Sequence, residues 1–508
     1  MSGYLHEWLF WTLSRVVPTD IVQKIALSAV FLLSGLSMFQ LMRWLLRRHT
    51  AVLTAVSSLT TATFYAFNPF VFFYVFEGVY YHLLAYALTP WVVLATLKFL
   101  KRPRPGTGLA AGSLAALVML TNAHHVLLLL LFLPPLFISR RTAHVPGRAL
   151  IAFFLPLALF ALASAPAFDV GTARVAALDP RGPRTRPLRA PWSGNILTDV
   201  LALTARWAPD VRSTQPYEQL PFFGVLTAGL LATMAVGVIG YWRTSETGPL
   251  VRRLLLVLGV TSFLTIGIAH PATAPVSGWL YRHVPFWTAL RDTTIFLALV
   301  AVVESVFLGL GCVALFTRAA MIQRARRFVP VRYTLPALLL AGTLALASPA
   351  LHGFSGQVLP TEYPASWTEW NERLATTPAR ARMVFLPWVM YPYLRFIGYR
   401  GIINPAPAFF TNADVLAGNV SMFDDGRGGL IVERVSASSF SLKVESLLRD
   451  ASLTALGSAL RDDGIRYIAV TLDSPVGNEL QAFLRRQADL LLVFARPDYL
   501  VWENATLP

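Results

Sequence analysis

Residues Lys101–Arg148 read KRPRPGTGLAAGSLAALVMLTNAHHVLLLLLFLPPLFISRRTAHVPGR. Their two apolar runs, Leu109–Thr121 and Val126–Ile138, are each short beside the ~20 residues that a helical bilayer crossing takes. A single long tilted helix would put one of the two basic flanks on the wrong side of the membrane. A hairpin turning at "TNAHH" keeps both flanks, "KRPRP" and "SRRTAHVPGR", on the cytoplasmic side, as the positive-inside rule requires. The stretch therefore predicts two short spans joined by an outer turn.

The same logic orders the rest of the chain. Further apolar runs at Val22–Leu46, Ala51–Val75, Tyr81–Leu97, Ala149–Phe168, Phe222–Tyr241, Val251–Ala269, Thr294–Thr317 and Leu335–Leu351 bring the expected spans to ten. Of the 508 residues, 55% are hydrophobic and 14% charged, where a soluble protein carries about 25% charged residues. The net charge of +16 is gathered in short connections: Arg43, Arg47 and Arg48; Lys98, Lys101, Arg102 and Arg104; Arg140, Arg141 and Arg148; Arg243, Arg252 and Arg253; Arg318, Arg324, Arg326, Arg327 and Arg332. These fall at every second connection, so they mark cytoplasmic loops and not a nucleic-acid surface. One cysteine, Cys312, lies in an apolar run and excludes an intramolecular disulfide.

With the basic loops inside, residues 1–20, the 169–221 loop, the 271–293 loop and everything after about residue 352 lie outside. Residues 1–20 carry Leu5, Trp8, Leu9, Leu13, Val16 and Val17 at helical spacing, which predicts an amphipathic helix on the outer surface. A chain that starts outside is expected to be preceded by one further span. Residues 21–351 form the transmembrane domain, with its outer loop at 169–221. Residues 352–508 are expected to form an extracytoplasmic α/β domain: strands at "RMVFLPW" and "IRYIAVTLD", a helix over Leu442–Asp463 ended by Gly464, another near Gly477–Arg486, and a closing strand pair in "LLLVFARPDYLVWEN". The expected class is mainly α, a polytopic helical membrane protein of about ten spans with a C-terminal α/β domain, multi-pass in the cytoplasmic (plasma) membrane. "DDGRGG" has the look of an ordinary turn, and "NVS" at Asn419 and "NAT" at Asn504 match glycosylation acceptors.

Several stretches together resemble the GT-C class of polytopic glycosyltransferases, nearest to the prokaryotic 6-pyruvoyl-tetrahydropterin-synthase-related membrane proteins. They are "FNPFVFFYVFEGVYYHLLAYALTPW" (Phe67–Trp91), "LTNAHH" (Leu120–His125), "VPFWTALRDTTIF" (Val284–Phe296), "LPTEYPASWTEWNERL" with "VFLPWVMYP", and "LRDDGIRYIAVT". The resemblance covers most of the chain and implies transfer of a sugar from a polyprenyl-phosphate donor on the outer membrane face. In that class the loop after the first span carries the catalytic acid. Here the chain resembles one that begins within that loop, where Glu7 and Asp20 are the acids, and the Arg-Asp segment is followed by Thr293 and Thr294 in place of the usual Pro and basic residue.

Such chemistry needs a carboxylate to take the acceptor proton and cations to hold the phosphate leaving group. Candidate carboxylates are Glu77, the lone acid in "FFYVFEGVYY", and Asp199. Glu77 reads as a base or a metal-binding acid, or as a headgroup-level acid facing water. Asp199 and Arg206 stand seven apart, which puts them on one helical face, either towards a cavity or paired with each other. Arg184 and Arg186 lie in the outer loop "DPRGPRTRPLRAPW", which either binds lipid phosphate or is a solvated loop. Arg291 and Asp292 stand at the outer mouth of the ninth span, as a phosphate ligand or as a helix start. His124 is a candidate donor-sugar contact, since adjacent His124 and His125 are ill-placed for a zinc pair. No metal site is expected from spacing; the cofactor is undetermined, with a divalent cation as the candidate. Expected partners are membrane lipid, a polyprenyl-phosphate sugar, and a chain supplying the preceding span. A non-catalytic scaffold or split-enzyme subunit is the alternative, and a lipid-linked saccharide transporter the second. Transport calls for charges near the bilayer midplane, where Glu304 is the main exception to an otherwise uncharged set.

Overall fold

The computed structural model describes residues 9, 12–13, 15–76, 78–122, 124–137, 145–176, 193–206, 217, 219–284, 287–290, 292–325, 331–351, 353, 356, 361–377, 380–398, 403–424, 430–434 and 438–507. Of the expected opening helix, Leu9, Thr12 and Leu13 are helical, and the rest lies outside the described residues. The chain forms two compact units, one of Met1–Asp169 with Pro183–Val358, the other chiefly Leu359–Pro508.

The first unit is helical. Its elements are α1 (Thr19–Leu45), α2 (Ala51–Ala66), α3 (Pro69–Phe76), α4 (Tyr80–Lys101), α5 (Pro105–Thr121), α6 (His124–Phe137), α7 (Gly147–Ala176), α8 (Ile196–Leu201), α9 (Phe223–Tyr241), α10 (Gly248–Ile266), α11 (Ala274–His283), α12 (Leu297–Ala325) and α13 (Val331–Ala347). Six helical stretches among the described residues are long and apolar enough to cross a bilayer: Ile21–Leu45, Ala51–Phe76, Tyr80–Lys101, Phe223–Tyr241, Gly248–Ala269 and Thr293–Arg318. The other four expected spans are shorter apolar helices.

The 101–148 stretch is a helix pair. Asn122 breaks it with extended backbone (φ −156°, ψ 117°). Its side-chain oxygen accepts the His124 amide at 2.9 Å and so caps α6. At the opposite end of the pair Arg253, in the first turns of α10, donates to the Leu136 carbonyl at 3.1 Å. That end also gathers an Arg48–Glu246 ion pair and Arg47 above Trp44. The basic clusters thus share one end of the bundle.

The second expected span is one helix in the sequence reading and two in the structure. Pro69 has no amide to donate to the Tyr65 carbonyl, four residues back. Asn68 fills the gap: its side chain donates to Phe64 and Tyr65 carbonyls and accepts the Val71 amide. Pro90 frees the Tyr86 carbonyl of α4 in the same way. Tyr65 donates to the Tyr86 carbonyl at 2.8 Å and Tyr86 to the Tyr65 carbonyl at 2.7 Å, with the two rings stacked at 4.1 Å. Each proline opens one acceptor, and the tyrosine of the other helix closes it, as a dry interior demands.

At the centre runs α12, which with the turn before it is buried over residues 293–313. A helix apolar on every side belongs in such a place. It meets α9 where Gly237 faces Gly311; a Cβ on Gly237 would lie 2.5 Å from the Gly311 nitrogen and 2.5 Å from the Phe307 oxygen. Small residues let membrane helices approach to this distance.

The second unit contains α14 (Ala365–Ala375), β1 (Ala381–Leu386), α15 (Ala406–Phe409), β2 (Ala413–Leu416), β3 (Val420–Asp424), β4 (Leu430–Arg434), α16 (Ser439–Arg449), α17 (Leu456–Leu460), β5 (Ile465–Thr471), α18 (Gly477–Arg485), β6 (Leu490–Ala495) and β7 (Tyr499–Asn504). Five strands form one sheet in the order β2-β1-β5-β7-β6, parallel across β2, β1 and β5 and antiparallel at β7 and β6. Both faces of the central strands are covered, so β1 and β5 are apolar apart from Arg382 and Arg466 near their starts and Thr471 at the end of β5. Met383, Phe385 and Ala469 pack with Trp367 and Trp370 on one face, and Val384, Leu386, Ile468 and Val470 with Val444 and Leu460 on the other.

The expected helix over Leu442–Asp463 is two helices. Asp450 accepts the Ser452 amide and hydroxyl, a local turn that competes with helix continuation. The Asp489 carboxylate then takes the Gly457 and Ser458 amides at the start of α17. "DDGRGG" links β3 to β4, an antiparallel pair with Asp424 opposite Leu430. Asn504 is buried, and its amide donates to the Gly457 and Ile465 carbonyls, so it is closed to glycosylation in the folded unit.

Candidate functional site

The α5–α6 turn, the C-terminus of α3, the start of α4 and the segment before α12 all stand at the end of the bundle opposite the basic clusters, because successive helices alternate in direction. They bring together a set of polar side chains. Asp292 accepts the Thr294 hydroxyl at 2.6 Å and the Thr294 amide at 3.0 Å, capping the turn that leads into α12. The Thr294 hydroxyl lies 3.2 Å from that of Tyr74, at the end of α3. Tyr74 packs against the His82 ring at 5.2 Å. The Nδ1 of His82 is hydrogen-bonded to the side-chain amide of Asn122, whose oxygen meets His124 Nδ1 at 3.1 Å. The His124 and His125 rings stand 5.4 and 5.9 Å from His82. A line of side-chain contacts, polar except where the Tyr74 ring packs on that of His82, therefore runs from Asp292 to His124.

The scaffold holds this line in place. Thr293 donates to the Thr265 carbonyl at the end of α10, and Tyr281 of α11 donates to the Leu290 carbonyl at 2.8 Å. Burial, with the Asp292 carboxylate nearby, pushes the Tyr281 hydroxyl well above the usual phenol range, so it remains a donor.

Asp199 sits elsewhere on the same unit. It is fully buried; one oxygen accepts the Ser193 amide at 3.0 Å and the other has no hydrogen bond. The expected sharing of one helical face with Arg206 is corrected. Helix α8 ends at Leu201, Leu203 takes φ +58°, and the Thr204 and Ala205 amides both turn back to the Asp199 carbonyl. Arg206 thus follows a helix stop, and it is buried. Beside α8 a small, open apolar crevice is lined by Phe64, Pro69, Leu201, Phe223 and Met234 among others.

Of the sequence-derived candidates, the structure links His124 with Asp292. Glu77, Arg184, Arg186 and Arg291 lie outside the described residues. Among the described residues no group of three or more His, Cys, Asp or Glu side chains is arranged to hold a metal ion. Sequence reasoning missed Tyr74, His82, Asn122 and Thr294. Tyr74 and His82 fall inside the quoted Phe67–Trp91 segment, but nothing in its spacing distinguishes them.

Solved structures share this architecture. The arabinofuranosyltransferase AftD from mycobacteria matches with a TM-score of 0.56 at 16% identity, over 98% of this chain and 35% of that one. A variant of it matches at 0.58 and 16% identity, over 97% and 36%. This chain thus shares the fold of the matched part of those arabinofuranosyltransferase structures. The chain spans roughly a third of the length of the structures it matches. No family model and no curated protein matches its sequence.

Proposed function

We propose that the chain is a glycosyl-transfer module that takes a sugar from a polyprenyl-phosphate donor at the outer face of the cytoplasmic membrane. The observation that carries this reading is the polar line from Asp292 to His124, at the bundle end opposite the basic clusters. By the positive-inside rule that end faces away from the cytoplasm. The AftD structures carry arabinofuranosyl transfer in their name, which makes a pentofuranose the first donor to try. The sequence likeness to the 6-pyruvoyl-tetrahydropterin-synthase-related branch remains part of the same reading.

In this scheme Asp199, with one uncommitted oxygen, takes the acceptor hydroxyl proton, and Glu77 is the second candidate for that role. Arg206, Arg291, Arg184 and Arg186 hold the donor phosphate through paired N–H donors. His124 and Asp292 orient the sugar. A partner chain contributing a further span belongs to the same proposal.

The test uses membranes carrying the full chain, supplied with radiolabelled polyprenyl-phosphate pentoses, arabinofuranose included, and with hexoses. Transfer to lipid or glycan that falls at least 100-fold in Asp199→Asn and in Asp292→Asn is expected, in line with losing a positioned acid–base group. Donor binding with no transfer from any sugar would replace catalysis with the scaffold reading.

A further inference from the structure

Glu304 lies two turns into α12, within the apolar stretch, and is 1% exposed. Among the described residues neither of its carboxylate oxygens has a hydrogen bond, and no cation pairs with it. The groups that could serve it are committed elsewhere. Its neighbour Ser305 donates to the Ala301 carbonyl. Tyr86, which interacts with it electrostatically, spends its proton on the Tyr65 carbonyl, and Tyr65 spends its own on Tyr86. The Asn68 amide is bonded to two carbonyls and the Tyr86 hydroxyl.

The helices packed on α12 bring no compensating charge. From α2 and α4 the facing titratable groups are Tyr65 and Tyr86; α3 brings Tyr74, at its far end. The basic residues of α1, α4 and α10 (Arg43, Lys98, Lys101, Arg252 and Arg253) cluster at the opposite end of the bundle. Lys24 is exposed, near the other end of α1. Helix α9 brings Tyr241 at the end that carries the basic residues, and the described side chains of α13 include no titratable group. An ionised carboxylate so enclosed has no counter-ion, and isolated buried charge is among the costliest things a protein can hold. A metal ion in its place would want about six oxygen ligands, and no metal-binding group exists among the described residues.

We propose that Glu304 is an intramembrane proton-binding site, occupied by a hydrogen ion at neutral pH for as long as α12 stays packed. The ligand is the proton itself, and the site is separate from the glycosyl-transfer reading and does not depend on it. Protonation makes the side chain a neutral carboxylic acid that the enclosed helix can carry without a partner.

The test is infrared spectroscopy of the full chain in lipid nanodiscs at pH 7. The expected result is a carbonyl stretch of a protonated carboxylic acid, distinct from the carboxylate bands, present in the native chain and absent from Glu304→Gln. Labelling with carbon-13 glutamate shifts that band and assigns it to glutamate. Among the described glutamates Glu304 and Glu445 are the buried ones, so a Glu445→Gln chain that keeps the band completes the assignment even where Glu304→Gln does not fold. Absence of the band from the native chain overturns the proposal. The unfolding equilibrium gives a second readout. A folded-state proton held more tightly than in the unfolded chain adds stability below the ordinary glutamate range, and that stability is lost as pH rises. The unfolding constant of the native chain, relative to Glu304→Gln, should therefore grow about tenfold per pH unit above ~4.3. Parallel curves for the two chains would equally overturn it.

Discussion

Gly237→Ala tests the packing of the central helix. The new methyl would stand 2.5 Å from both the Gly311 nitrogen and the Phe307 oxygen, and 3.0 Å from the Gly311 Cα. All three are backbone atoms, so no side chain can swing aside. Ordinary contact begins at 3.4 Å, and α9 must therefore back away from α12 by roughly 0.9 Å, a gap that forfeits between a quarter and a half of each affected dispersion contact. Leu230, Thr233 and Met234 share the buried face of α9 and move with it. Overpacking of this kind costs about 1–3 kcal/mol, against which the alanine returns up to ~1 kcal/mol of helix preference. The expected net loss is about 1 kcal/mol, or roughly 5-fold in the unfolding equilibrium. Gly229→Ala, on the same helix with nothing within 4 Å, receives the helix preference alone and should be neutral or slightly stabilised. The assay is unfolding of the full chain in mixed micelles by a denaturing detergent, followed by circular dichroism. Equal midpoints for the two variants would refute the close-packing argument.

Tyr65→Phe removes the donor that closes the Tyr86 carbonyl, and should lower stability in the same assay by about 1–3 kcal/mol, the cost of an unsatisfied buried acceptor; an unchanged midpoint would mean another group closes it. Asp473 is held above the usual carboxylate range by burial and then by Asp498, with Arg395 opposing. Its favourable contribution is present below about pH 4 and is lost as pH rises through the folded value. Asp473→Asn should therefore gain on the native chain between acidic and neutral pH, read as slower hydrogen exchange in β5, and a gain at low pH would reverse the sign and sink the argument. Asp489→Ala leaves the first amides of α17 uncapped; a loss of ~1 kcal/mol is expected, visible as faster exchange over Leu456–Leu460, and unchanged exchange there would refute the capping role.

The helices were legible in the sequence because a bilayer forces long apolar runs, and because basic flanks fix which ends lie together. The Lys101–Arg148 pair shows this best: neither half is long enough alone, yet the charge placement alone indicated a turn at Asn122. The strands were legible where alternate residues face two covered sides, as in β1 and β5. The short breaks were not. Asn68 and Asp450 interrupt helices through side-chain bonds to nearby backbone, and an apolar run conceals the first while helical spacing conceals the second. Asp199 and Arg206 have the right spacing for one helical face, but Leu203 in a left-handed conformation ends the helix between them. The polar line at the bundle end joins residues from four separate segments, with Tyr74 and Thr294 more than two hundred positions apart. No local periodicity reports such a pairing.

The enclosure of α12 has a consequence for how the protein meets different membranes. Hydrophobic mismatch acts on helices whose flanks touch lipid, which tilt or let the bilayer thin around them. Helix α12 is buried as far as residue 313, and the turn that leads into it carries Thr294 and is capped by Asp292. The outer helices act as a sleeve that absorbs changes of bilayer thickness, while the axle inside keeps its length and depth. The polar line is anchored to that axle, so lipid composition reaches it only through the sleeve.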